Sequence, residues 1–188
     1  MASKFCPRCG TAMGSRQEGG RERPVCPGCG YVHFGEFSIG VGGVVLREDK
    51  ALLIRRGQEP YKGWWQIPGG YAERDELIEQ AVEREVWEES GVRAKARRVL
   101  GLRNMVGDSS TNVYVIFALE LLEGEAHQDS VESVEAGFFS LAELETMEQV
   151  QNLSKWAIRA AQHGDGGFVR VSEMNLTRPG YLLYGVDK

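Results

Sequence analysis

Apolar positions are scattered through the first 34 residues and become periodic from Phe37 onward. "FSIGVGGVVLREDKALLIRR" alternates small and branched apolar residues, breaks at Glu48 to Lys50 and resumes, which predicts a β-hairpin. In "GWWQIPGGY", Pro68 and two glycines end any strand before a helix running from about Asp75 to Ser90, which Gly91 stops. After it, "ARRVLGLRN", "TNVYVIFALELL" and "EAGFFS" have the texture of three strands, the middle one apolar enough to be central. "LAELETM" and "NLSKWAIRAAQH" predict helices, the second with Leu153, Trp156, Ala157 and Ala160 on one face. The tail from residue 166 predicts one or two edge strands. Mixed strands with interspersed helices indicate an α/β or α+β sandwich over residues 35–165, with residues 1–34 as an appendage and residues 166–188 as a tail on the sheet edge.

The chain has 188 residues, 42% of them apolar, enough for one ordinary core and an appendage. Lys and Arg number 22 against 27 acids, and the net charge of −5 argues against a broad grip on nucleic acid. The start lacks a basic segment followed by an apolar run, and no window approaches a membrane span, so a cytoplasmic protein is expected.

All four cysteines fall in "CPRCG" (Cys6, Cys9) and "CPGCG" (Cys26, Cys29). Two C-x-x-C pairs at this separation fit tetrahedral Zn²⁺ on two tight turns, each glycine easing the backbone. A disulfide pair is disfavoured in a cytosolic chain, and a redox motif would not need to occur twice. Four thiolates leave no open position, so the metal would be structural, and His33 would not be needed as a ligand.

The stretch "REVWEESGV" sets Glu85, Glu88 and Glu89 within about one helical turn. At 100° per residue the three fall beside Ile78, Ala81, Val82 and Val86, whereas Glu76, Glu79, Glu83 and Trp87 point away, Glu79 and Glu83 onto a solvated face. Carboxylates bordering an apolar surface are costly unless paired, and Arg84 cannot balance three of them. A hard divalent cation, Mg²⁺ or Mn²⁺, answers the imbalance.

Gly70, Glu76 and "REVWEESGV" together reproduce G-x5-E-x7-R-E-U-x-E-E-x-G-U, and the chain thereby resembles the Nudix hydrolases. The resemblance implies an α/β/α sandwich with a mixed sheet from about residue 37 to 163. It implies that Glu85, Glu88 and Glu89 bind the catalytic metal, with the backbone carbonyl of Gly69 or Gly70 close by. Arg84 would orient a glutamate by ion pairing, and Glu76 would stabilise the loop and helix. Asp75 stands where many members have glycine. The base would be Glu89 or Glu85 within the box, or an acid on a later loop, for which Glu132 and Glu135 are candidates; an exposed acidic loop is the equal alternative.

Such enzymes hydrolyse nucleoside diphosphates linked to another moiety. A zinc ribbon before the domain is similar to the NADH pyrophosphatases, but their Ser-Gln-Pro-Trp-Pro-Phe-Pro signature is absent from "RVLGLRNMVGDSST". The proline that many ADP-ribose pyrophosphatases carry past the box is missing from Val106 to Asp108. Shorter ribbon-bearing members resemble ADP-ribose or FAD pyrophosphatases, so a dinucleotide or nucleotide sugar is the expected substrate. Tyr61, Trp64, Trp65, Tyr114 or Phe117 could stack a base, packing being the readier role for Trp65. Arg55, Arg56 and Arg103 could meet phosphates or end strands in solvent. Two other readings stand beside hydrolysis of a small nucleotide: a sensor that binds without turnover, and a hydrolase of nucleotide-capped RNA gripped by ribbon arginines. The family resemblance also makes a homodimer an expectation.

Overall fold

The computed structural model describes residues 4–106, 111–128, 132–163, 168–170 and 184–186. The loop positions 107 and 108, part of the acidic segment before "SVEAGFF" and most of the tail lie outside the described residues. The chain forms two compact units, Met1–Ser38 with Met105–Asn112, and Ile39–Asn104 with Val113–Lys188.

In the first unit, β1 (Gly14–Glu18) pairs antiparallel with β2 (Arg21–Val25). Gly19 and Gly20 join them with φ of 60° and 76°, the left-handed pair that a two-residue hairpin turn requires.

The large sheet contains β3 (Phe37–Arg47), β4 (Lys50–Arg56), β5 (Trp65–Gln66), β6 (Arg93–Val106), β7 (Thr111–Glu123), β9 (Phe168–Arg170) and β10 (Tyr184–Val186), ordered β10-β9-β6-β7-β3-β4-β5. The eighth strand, β8 (Ser133–Ser140), pairs with β4 from Lys50 to Arg56. Among the described residues, three helices complete the fold: α1 (Ile78–Ser90), α2 (Leu141–Thr146) and α3 (Asn152–His163).

Alternation along the strands divides the core in two. Val41 and Val45 of β3, Leu52 of β4 and Phe117 of β7 face α1 through Ala81, Val82 and Val86. Val44, Ala51, Leu53 and Ile116 face the other way, toward Leu144, Ala157 and Ile158. The result is helix, sheet and helix in layers, and each large aliphatic side chain so buried contributes about 1.5–3 kcal/mol. Gly43 lets α1 approach β3, since a Cβ there would come within 2.7 Å of Val86.

Two details differ from the pattern of the sequence. The helix α1 starts at Ile78 rather than near Asp75, because Glu76 accepts the amide of Glu73 at 2.9 Å and closes a turn before the helix. On α3, Trp156 is 48% exposed and Ala160 only half-buried, whereas Ser154, Ala157 and Ile158 are buried and Ala161 packs beside them. Ser154 is drawn inward because its hydroxyl accepts the Ile67 amide at 3.0 Å.

Candidate active site and cysteine cluster

Each C-x-x-C segment closes a tight turn: the Gly10 amide donates to Cys6 O at 2.9 Å, and the Gly30 amide to Cys26 O at 3.0 Å. Gly10 and Gly30 take φ of 72° and 73°, where a side chain would be strained. The turns converge, so that the four sulfurs lie within 4.8 Å of one another, with no disulfide. Cys6 to Cys29 measures 3.6 Å and Cys9 to Cys26 3.5 Å. Zinc–sulfur bonds of about 2.3 Å in a tetrahedron set sulfurs about 3.8 Å apart, so the donor set fits Zn²⁺. Thr11, by its hydroxyl and its backbone, draws the Cys9 thiol down to about 6, toward the thiolate a metal needs. His33 lies outside this cluster; it lines a cavity of about 230 Å³ with Phe5, Pro7, Met13, Pro24, Tyr31 and Glu36.

The second cluster begins with helical spacing. Glu85 and Glu89, four apart on α1, flank the buried Val82 and Val86 and are themselves only 7% and 4% exposed. They sit toward the C-terminal end of the helix, which carries partial negative charge and has no basic residue in its last turn. Opposite them, the segment from Pro68 to Ala72 is fastened along β3. The Gly43 amide donates to Pro68 O at 2.9 Å, the Val41 amide to Gly70 O at 2.8 Å, and the Ala72 amide to Ile39 O at 3.0 Å. This fastening aims the Gly69 amide at Glu89 Oε2, at 2.7 Å, and lays Gly70 against Glu85, where a Cβ would come within 2.6 Å of the carboxylate.

Among the described residues, the carboxylate that converges with these two is Glu132. Oxygens of Glu85, Glu89 and Glu132 lie within 4.8 Å of one another. Glu132 is held there because its carbonyl accepts the Gly57 amide at 2.7 Å. Glu88, with a side chain 47% exposed, instead pairs with Arg84 at 2.9 Å. Arg84 also reaches Glu85 Oε1 at 2.9 Å, both oxygens of Glu76 at 2.7 and 3.1 Å, and Tyr71 O at 3.1 Å. The solvated face expected for Glu79 and Glu83 is absent: Glu79 is 7% exposed, and Glu83 accepts the Ala96 amide at 2.9 Å and pairs with Lys95 at 3.0 Å.

Burial raises the Glu89 carboxyl to about 8, and the charges of Glu85 and Glu132 add to the effect while the Gly69 amide opposes it. Burial likewise raises Glu85, against the pull of Arg84. Arg84 holds Glu76 below the usual carboxylate range. Two buried carboxylates and a third beside them, with one guanidinium shared outward, form an oxygen donor set that fits a hard cation such as Mg²⁺ or Mn²⁺.

The other expected residues are placed as follows. Arg55 donates Nε to Gly63 O at 3.0 Å and lies 3.6 Å from Glu135, its partner across β4 and β8, so neither belongs to the carboxylate cluster. Arg103 stacks over the Tyr114 ring at 5.0 Å. Tyr114 crowds Gly69, and burial, with the charge of Glu89, raises its phenol. Trp64 meets Tyr61 edge to face at 5.7 Å, whereas Trp65 is buried against Phe139 at 4.9 Å. Phe117 is core. The one cue in the sequence that brings Glu132 forward is its position just before a strand returning to the core.

The family described as the NUDIX domain matches residues 36–160, and the ribbon family described as Nudix N-terminal matches residues 4–34. An ADP-ribose pyrophosphatase of Methanocaldococcus jannaschii is 33% identical over 109 residues, covering 57% of this chain and 64% of that protein. An NAD-capped RNA hydrolase NudC of Chromobacterium violaceum is 28% identical over 159 residues, 84% of this chain and 58% of that protein. The chain thus spans under two thirds of the length of these curated relatives. A crystal structure of a NUDIX hydrolase from Nitrosomonas europaea superposes with a TM-score of 0.73 at 27% identity, covering 86% of this chain and 94% of that one. Among the described residues, no helix is long and apolar enough to cross a membrane.

Proposed function

Because the chain belongs to the NUDIX domain family, we propose that it is a metal-dependent hydrolase cleaving the diphosphate linkage of a nucleoside diphosphate derivative, with ADP-ribose the leading substrate and FAD the next. The observation that carries this reading is the convergence of Glu85, Glu89 and Glu132 within 4.8 Å, two of them buried. ADP-ribose is favoured by the 33% identity to the archaeal pyrophosphatase.

Mg²⁺ or Mn²⁺, which Glu85 and Glu89 would hold beside Glu132, would neutralise the diphosphate oxygens and lower the pKa of the attacking water. Everything else is done by the chain. The Gly69 amide fixes one oxygen of Glu89. Arg84 fixes Glu85 from outside and is itself braced by Glu76, so the ligand geometry is set before substrate arrives. Glu88, exposed and held by the same guanidinium, completes the acidic rim. Glu132, on a separate loop, accepts the proton of the attacking water at a carboxylate oxygen. Cys6, Cys9, Cys26 and Cys29 would hold a structural Zn²⁺ that does no chemistry.

The test is release of mononucleotide from ADP-ribose, FAD, NADH and nucleotide sugars with Mg²⁺ and then Mn²⁺. Turnover of ADP-ribose, lost in Glu89→Gln while the melting temperature is retained, is the expected result. No turnover across the panel, with metal bound, would instead favour a nucleotide sensor.

A second reading, hydrolysis of NAD-capped RNA, is favoured by the NudC relatives, whose similarity covers 84% of this chain, enough to include residues from both matched regions. A higher kcat/KM on capped RNA than on ADP-ribose, falling steeply with salt, would establish it. A homodimer belongs to the same proposal, with sedimentation as its test.

A further inference from the structure

Strand β4 ends in Arg55 and Arg56, and both guanidiniums bond carbonyls of the loop that follows. Arg56 donates Nε to Pro60 O at 2.8 Å, and Arg55 donates Nε to Gly63 O at 3.0 Å. The loop between them is closed further by Gly63 N to Arg56 O at 2.8 Å, Arg56 N to Trp64 O at 2.9 Å and Trp64 N to Tyr61 O at 3.0 Å. Two arginines and three backbone bonds therefore hold a loop of seven residues, Gly57 to Gly63, in one shape.

What that shape presents is an aromatic pair. Tyr61 is 57% exposed and meets the half-buried Trp64 edge to face. Tyr61 also takes φ of 68°, a left-handed conformation that glycine or asparagine adopts more readily than tyrosine. A large ring kept exposed at a strained position is a poor solution for packing and a good one for recognition.

The loop is joined to the carboxylates. Its first amide, on Gly57, donates to Glu132 O at 2.7 Å, and the charge of Arg56 is felt at Glu89. The loop that carries Tyr61 thus starts at the end of β4, where its first residue is bonded to Glu132.

We propose that the exposed Tyr61 ring, braced edge to face by Trp64, is the surface on which the planar base of the nucleotide stacks, so that the Gly57–Gly63 loop is the part of the molecule that selects a nucleoside derivative over other diphosphates. This rests on the hydrolase reading above and adds the subsite to it. Face-on stacking needs no specific hydrogen bond, so the platform reads a π-face and tolerates more than one base.

The experiment measures the Kd of AMP by calorimetry, and KM and kcat for ADP-ribose, in the full chain and in Tyr61→Gly and Trp64→Phe. Tyr61→Gly is expected to raise the AMP Kd and the ADP-ribose KM by about tenfold or more, with kcat within about twofold. Its melting temperature should not fall, because glycine relieves the left-handed strain. Ribose 5-phosphate, which has no base, should bind parent and variant alike. An unchanged AMP Kd in Tyr61→Gly, a fall in melting temperature with binding intact, or equal losses for AMP and ribose 5-phosphate would each overturn the proposal. If ADP-ribose is not turned over but AMP binds and depends on Tyr61, the substrate reading fails and the subsite stands.

Discussion

The substitution Gly70→Ala would set a Cβ 2.6 Å from Cδ and Oε1 of Glu85, where ordinary contact begins at 3.4 Å. Something must therefore yield by about 0.8 Å. The backbone of residue 70 is pinned to Val41 at 2.8 Å, with further bonds to β3 on either side, so the carboxylate yields. Glu85 is a flexible side chain held at its tip by Arg84, and swinging it away costs little stability, about 1 kcal/mol. It does displace a proposed metal ligand. A misplacement near 1 Å at a reacting centre costs on the order of 10²-fold in rate. The expected outcome is a loss of about 30- to 100-fold in kcat for the Mg²⁺-dependent reaction, a weaker Mg²⁺ activation constant, and a melting temperature within a few degrees of the parent. Steady-state kinetics across a Mg²⁺ titration, beside differential scanning calorimetry, reads all three. A variant with kcat within twofold and unchanged Mg²⁺ dependence would refute the placement of Glu85 at the metal.

Gly69→Ala should behave in the opposite way, since its Cβ would lie 2.2 Å from Val41 O and 2.7 Å from Gly42 Cα; backbone must move, and chemical denaturation should show about 3 kcal/mol lost. Without Mg²⁺, folded Glu89 keeps its proton up to about pH 8 while the unfolded chain releases it near 4.5, so the native state binds more protons in that window and stability falls as pH rises through it. Thermal melts from pH 5 to 8 should show this decline, Mg²⁺ should reverse it increasingly at higher pH, and Glu89→Gln should flatten it. Cys26→Ser should lose bound zinc, measured by a colorimetric chelator, together with hydrogen-exchange protection at the Gly30 amide.

The helix and its glycine stop were legible because the local signals agreed: apolar spacing up to Ser90, then Gly91, which takes φ of 69° and donates to Trp87 O at 2.7 Å. The two cysteine turns were legible for the same reason. What escaped the sequence was set by partners far along the chain. Glu132 was a candidate base beside Glu135, but its place among the carboxylates depends on the bond to Gly57, which no local pattern around residue 132 encodes. Glu83 is engaged by Lys95 and the Ala96 amide, on a strand whose register the helix alone does not reveal. Trp156 belongs by hydrophobicity to the inward face of α3, but it lies over Gly101, where a Cβ would meet its ring at 2.6 Å, and the smaller Ser154 faces inward. The bonds of Arg55 and Arg56 to the carbonyls of Gly63 and Pro60 were not legible because the loop that supplies them begins only after the strand.

The C-terminal end of α1 is closed by residues that arrive much later in the chain: the Ser133 hydroxyl donates to Glu89 O, and the His127 amide donates to Ser90 O at 2.9 Å. A helix of this length can form from its own local contacts, whereas these closures wait for a loop of some forty residues to come around. In kinetic terms, the carboxylates are expected to reach their working register only after β8 docks on β4. On that order the acidic charge would be concentrated last, once the surrounding sheet is in place to hold it.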